Sequence, residues 1–226
     1  MPMTELSLSE QYLLLALDAS AHKFGLPARQ VMQTFACGAA VAELMLLKRL
    51  RLHEDGRLEV VDATPTGYAG TDLLLAELTA GASGTTIRKW IHSIYSRRRL
   101  RDLLFEASLR PLLEGDLMSA EQRKLLFVFA STRYTPHPGA IARIVQRIRA
   151  ELLDQGTEAD DKTALLVMLL DSSKLLKAYF FADELDRLRA GLKLLHERNR
   201  DRFGVIRQTR RTIDEIHVVM VTTASM

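Results

Sequence analysis

Between Thr85 and Arg101 the chain reads TTIRKWIHSIYSRRRLR, with six Lys/Arg and no Asp or Glu. The whole chain carries only +3 at pH 7, so this charge is local and not a by-product of composition. On a helix beginning near Arg97, Arg97 and Arg101 stand one turn apart, and so do Arg98 and Arg101. Guanidinium forks spaced in this way fit around a phosphate, with a bidentate geometry that lysine lacks. Beside an anionic leaflet each basic residue contributes about 1 kcal/mol, so six give roughly 6 kcal/mol as an upper bound. The competing reading is a solvated basic face that pairs with Asp102, Glu106 or other acids.

No other stretch has the spacing of a reactive site. His22, His53, His92, His137, His196 and His217 form no pair at metal-ligand spacing, and there is no CxxC. GxSxG, P-loop, HExxH and strand-linked GxGxxG signatures do not occur. Asp160-Asp161 and Asp183-Glu184 are adjacent in sequence. Neighbours do not face one another on a helix, so these read as acids at helix N-termini. Cys37, the single cysteine, lies among Phe35, Ala36, Ala39 and Ala40 and reads as a small core residue. The expectation is a protein without catalysis, metal or cofactor.

With 47% apolar and 26% charged residues in 226, the chain has the composition of one soluble globular domain spanning 1–226. It opens without a basic and apolar leader, and its longest apolar runs fall far short of the ~20 residues that cross a bilayer. A reducing cytoplasmic setting is expected, and any membrane contact should be peripheral.

The elements that would position the arginines follow from periodicity. Ser7-Leu8-Ser9-Glu10 has capping-box spacing and opens a helix. A second helix follows Pro27, with Val31, Phe35, Gly38, Ala42 and Met45 on one face. Alternation around Asp55-Gly56 predicts a hairpin over 49–60. Thr64 to Gly67 reads as a loop and Leu73 to Leu78 as a short helix. Ile87, Trp90, Ile91, Ile94 and Tyr95 keep helical spacing; after Ser96 the stripe moves to Leu100, Leu103, Leu104 and Ala107, which predicts a kink or a new helix. Leu117 to Phe129 reads as a second hairpin with Ser119 to Lys124 as its turn. Within it Leu125, Phe127 and Phe129 alternate with Leu126 and Val128, so both faces are apolar and serve either as core or as an insertion or partner surface. Pro136 to Gly139 reads as a rigid loop. Ile141, Ile144, Val145, Ile148 and Leu152 mark a helix, Thr163 to Leu170 a central buried helix, and Leu185, Leu188, Leu192 and Leu195 a surface helix. The tail from Ile213 to Val221 fits a strand or a helix end. The fold class is mainly α, with central buried helices ringed by amphipathic ones and two small β-hairpins.

Several of these segments, in this order, resemble the Golgi phosphoprotein family. They are Leu6 to Glu10 leading into Leu13 to Leu17; Ala42-Glu43-Leu44 before Arg49-Leu50; Pro65-Thr66-Gly67 before Asp72-Leu73-Leu74; Trp90-Ile91; Leu112 to Gly115; and Leu125-Leu126-Phe127. They cover the first two thirds of the chain, and its Ala, Leu and Arg usage is similar to that of bacterial members. The resemblance implies a four-helix centre with a projecting hairpin. It also implies a non-catalytic, peripheral adaptor that binds phosphatidylinositol 4-phosphate on the cytosolic face of a membrane. The family's lipid pocket uses one Trp and three Arg. Aligned through Gly115, one Arg falls on Arg101 and the next on Leu104; aligned through Glu43, the Trp falls on Ala28 and the last Arg on Cys37. Arg101 is thus the position that matches. Arg29, Arg97 and Arg98 are expected to supply headgroup charge by their own placement, not by the resemblance. The family's inserting hairpin matches Leu125, Leu126, Phe127 and Phe129, a surface for membrane, a client protein or a second copy.

A different class also fits part of the chain. Residues 7–62 read helix, helix, hairpin, the order of a winged-helix nucleic-acid module, with Arg97 to Arg101 on phosphates. Against it, Pro27 to Leu47 is apolar and short of basic residues where a recognition helix should carry polar, base-reading side chains.

Overall fold

The computed structural model describes residues 6–21, 29–81, 84–125, 129–153 and 159–198, together with Arg211, Asp214, Glu215 and Val218. Its first helix, α1 (Leu8–Ala21), starts on the expected capping box. The Ser7 amide donates to Glu10 Oε2 at 2.7 Å, and the Glu10 amide donates back to Ser7 Oγ at 3.2 Å. From Leu8 to Leu17 every residue is buried. In α2 (Arg29–Leu46) every residue from Met32 to Met45 is buried as well. The single apolar face predicted for this helix is therefore too narrow: small residues, Ala36, Gly38, Ala39, Ala40 and Ala42, let neighbours close around it on all sides. A helix enclosed in this way has no free face for a nucleic-acid groove, which removes the winged-helix reading although the helix–helix–hairpin order is present.

After α2 the chain makes the predicted first hairpin, β1 (Leu50–Leu52) against β2 (Leu58–Val60), in antiparallel register Leu50↔Val60 and Leu52↔Leu58. Gly56 sits in its turn at φ +81°, a conformation that L side chains rarely adopt. Next come α3 (Ala69–Gly81), α4 (Ile87–Ser96) and α5 (Arg98–Glu114). The predicted break near Ser96 is thus a true change of helix.

The second hairpin is longer than the sequence predicts. It pairs β3 (Met118–Leu125) with β4 (Phe129–Pro136), from Met118↔Pro136 to Leu125↔Phe129. Ser119 to Lys124, predicted as the turn, are strand residues. Ser119 to Gln122 are exposed, so this stretch of the ribbon is wet and polarity does not mark its turn. Leu126, Phe127 and Val128 lie outside the described residues.

Pro136 closes β4, and Pro138 is the first residue of α6 (Pro138–Leu152), where a missing N–H costs nothing. Then follow α7 (Asp161–Ser172) and α8 (Ala182–Arg198). The acidic pairs stand where the dipole argument puts them: Asp160 and Asp161 at the start of α7, Asp183 and Glu184 in the first turn of α8. α1, α2 and α7 touch one another at the centre, with α5 against α1 and α2, and α3 and α4 against α2. The described residues are eight α-helices and two two-stranded ribbons, a mainly α fold. Among them no helix is long and apolar enough to cross a membrane.

Candidate functional site

The basic run forms the corner between α4 and α5. Thr86 caps α4 by accepting the Lys89 amide, and Ile87, Trp90, Ile91 and Ile94 are buried as their spacing requires. Arg88, Lys89 and His92 occupy the opposite, exposed face. Arg97 leaves helical geometry at φ −89°, ψ 78°, ending α4 and serving as the N-cap of α5.

At this corner the arginines separate into two groups. Arg101 is buried, 5% exposed. Its guanidinium donates to the Ile94 carbonyl at 3.0 Å and to the Tyr95 carbonyl, and lies 5.8 Å from the Tyr95 ring centre. Gln30 of α2 also donates to Tyr95 O at 3.1 Å. Arg101 thus satisfies carbonyls that α4 leaves without helical partners, and it acts as a cap inside the protein. Its conspicuous neighbours stay outside: Arg97, Arg98 and Arg99 are exposed.

Those three surround a helix N-terminus with no side-chain cap and no acid in its first turn. The positive end of a helix disfavours cations by the same 0.3–1 kcal/mol or so with which it favours anions. Arg97 reaches Glu77 at 3.6 Å and Arg98 reaches Asp102 at 3.5 Å, both long, exposed contacts of small worth. Asp102 is further engaged by the Gln33 side-chain amide at 2.8 Å. Arg99 has no ion-pair partner among the described residues. Arg98, Arg99, Asp102, Leu103 and Glu106 line a shallow open groove of about 410 Å³. Arg29, the first residue of α2, stacks 5.1 Å from the Phe105 ring centre, which brings it to the flank of α5.

Leu103 departs from its predicted place. α2 and α3 cover the stripe Leu100, Leu104, Phe105, Ser108, Leu109 and Leu112, and leave Leu103 48% exposed at the rim of the arginine groove. The signal that could have found Arg99 and Leu103 is the helix phase itself: Arg99 and Leu103 are one turn apart, and Leu100 and Leu104 are one turn apart on the buried side.

A family model described as Golgi phosphoprotein 3 (GPP34) matches residues 8–216. The chain belongs to this family. No curated protein matches it. Of the positions that the family resemblance assigns to a lipid pocket, Arg101, Cys37 and Leu104 are internal in this GPP34 member. Cys37 and Leu104 are both buried, and together with Gln33, Gly70 and Ser108 they border a cavity of about 10 Å³, room for a single water at most. Burial pushes the Cys37 thiol up to about 12, with the Arg101 charge pulling weakly the other way. Ala28 lies outside the described residues. Leu125 and Phe129 close the last described rung of the second hairpin, while Leu126 and Phe127 fall beyond it. Among the described residues no cluster of His, Cys, Asp and Glu has the makings of a metal site.

A buried polar group that sequence reasoning missed lies behind α1. Glu43 of α2 accepts the Leu8 amide at 2.5 Å and pairs with Lys162 of α7 at 3.1 Å. Lys162 also lies 5.3 Å from the Tyr68 ring centre. Burial raises the Glu10 carboxyl above its ordinary value; Ser7 lowers it and the nearby Glu43 adds to the rise. This group ties three central helices together and does not reach the arginine corner.

Proposed function

We propose that this GPP34 protein is a non-catalytic, peripheral membrane adaptor that docks on anionic, phosphoinositide-bearing lipid through the α4–α5 corner. The observation that carries the reading is the uncapped N-terminus of α5 ringed by exposed Arg97, Arg98 and Arg99. Free amides, helix dipole and guanidinium forks all favour one phosphate group at that spot. Leu103 at the rim adds a small apolar contact, and charge with insertion anchors better than either alone. Arg29 flanks the site. Arg101 supports it from behind by capping α4, so its part is to position and not to touch lipid. The binding place is displaced from the interior positions that the resemblance points to, so phosphatidylinositol 4-phosphate is the reference ligand and other phosphomonoester headgroups belong to the same chemical class. The second hairpin is the proposed surface for a client protein, a second copy or the bilayer itself, on the cytosolic face of a membrane.

Co-sedimentation with vesicles of neutral, anionic and phosphoinositide lipid tests this. Replacing Arg97, Arg98 and Arg99 together with Ala should weaken binding by up to about 100-fold, at roughly fivefold per charge. Undiminished binding by the triple variant refutes the site. A parent protein that treats phosphoinositide and neutral vesicles alike refutes the function.

A further inference from the structure

Glu215 stands against the exposed face of α4, and its position has a consequence for the same basic surface. α4 carries no acid of its own. Its outward residues Arg88, Lys89 and His92 are exposed, as are Arg97, Arg98 and Arg99 at the corner that follows. Glu215 Oε2 lies 3.6 Å from Arg88 Nε, with the Arg88 side chain 64% exposed and that of Glu215 only 25%. Four residues earlier, Arg211 donates to the Glu54 carbonyl at 2.9 Å in the turn of the first hairpin. Arg211 thus holds to the first hairpin while Glu215 sets a carboxylate beside Arg88 on the basic face.

We propose that Glu215 and an anionic phospholipid bilayer compete for the exposed face of α4, so that the Glu215 carboxylate restrains membrane docking. The proposal rests on the docking reading above and adds its regulation. The Arg88–Glu215 contact is too long for a hydrogen bond and is exposed, so it is weak and exchangeable. A bilayer offers many phosphates at once, whereas Glu215 offers one carboxylate. Lys89 has no ion-pair partner among the described residues, so the face is only partly neutralised. A bilayer fits better than a nucleic acid because half-exposed Leu103 lines the docking groove with Arg98 and Arg99, and an apolar edge gains nothing from a phosphodiester backbone.

The test uses the full chain and vesicles of phosphatidylcholine alone, or of phosphatidylcholine with phosphatidylserine in equal parts. Glu215→Gln should tighten binding to the phosphatidylserine vesicles about fivefold, the worth of one charge near such a surface, and the gain should shrink at high salt. Arg88→Ala with Lys89→Ala should weaken it roughly 25-fold by the same reckoning. In an Arg88→Ala background the gain from Glu215→Gln should fall away. Matching thermal melts check every variant, and spins without vesicles separate vesicle binding from aggregation. If the Arg97/Arg98/Arg99 variant loses binding while Glu215→Gln binds as the parent does, the competition is refuted and the docking corner stands. If neither parent nor Glu215→Gln prefers anionic vesicles, the docking reading falls and the competition with it. Preferential, steeply salt-dependent capture of duplex DNA by Glu215→Gln overturns the bilayer as the competitor.

Discussion

Lys162→Met would isolate the contribution of the buried charge group to the helical centre. Lys162 and Glu43 are both buried and stand 3.1 Å apart. Glu10 is close enough that the Lys162 charge lowers its carboxyl while Glu43 raises it. Methionine keeps the length of the lysine stem and removes the charge, so packing changes little. Two carboxylates then share a buried space, with Glu43 still tied to the Leu8 amide. Breaking a buried pair from one side costs about 3–5 kcal/mol, a large part of the 5–15 kcal/mol or so that a domain possesses. At this chain length each kcal/mol moves Tm by about 2–4 °C, so Tm should fall by roughly 6–20 °C. The assay is thermal and urea unfolding at pH 7, followed by circular dichroism. A second variant, Glu43→Gln with Lys162→Met, removes both charges and keeps an oxygen for the Leu8 amide; it should recover half or more of the loss. A single-variant loss below about 1 kcal/mol, or a double variant no better than the single, would refute the reasoning.

Three further outcomes follow from the packing. The folded-state pKa of the Glu10 carboxyl is raised by burial above the ordinary carboxylate range, so its contribution to stability is complete below that range and is lost as pH rises through the folded value. Glu10→Gln should therefore gain stability relative to the parent as pH rises above the ordinary carboxylate range; a difference in Tm that stays flat with pH would count against it. Cys37, buried and with its thiol pushed up to about 12, should resist alkylation at pH 8 until the protein unfolds, and rapid labelling of the native chain would contradict this. A Cβ on Gly70 would lie 2.0 Å from Ser108 Oγ and 3.2 Å from Ser108 Cα, so Gly70→Ala should cost about 1–3 kcal/mol by forcing α3 away from α5. Helix propensity alone predicts the opposite sign, so a raised Tm would show that the helices part freely.

The chain by itself determined the helices around the basic corner. The spacing of Ile87, Trp90, Ile91 and Ile94 fixed the buried side of α4, and the shift to Leu100 and Leu104 fixed the break after Ser96, because a helix cannot change the phase of its apolar face without ending. The capping box at Ser7 and Glu10, the first hairpin at Asp55-Gly56 and the acids that begin α7 and α8 were legible for the same reason: each is a local rule satisfied within a few residues. Tertiary structure alone decided which arginine is a buried cap and which are exposed. Arg97, Arg98, Arg99 and Arg101 look equivalent in sequence, but Arg101 meets the Ile94 and Tyr95 carbonyls only after α5 folds back against α4. Likewise Leu103 and Leu104 are separated by which side α2 and α3 cover. Glu43 and Lys162, 119 positions apart in sequence, become a pair only when α2 meets α7. Local pattern says which residues must leave water, and the arrangement of neighbours decides what each of them meets there.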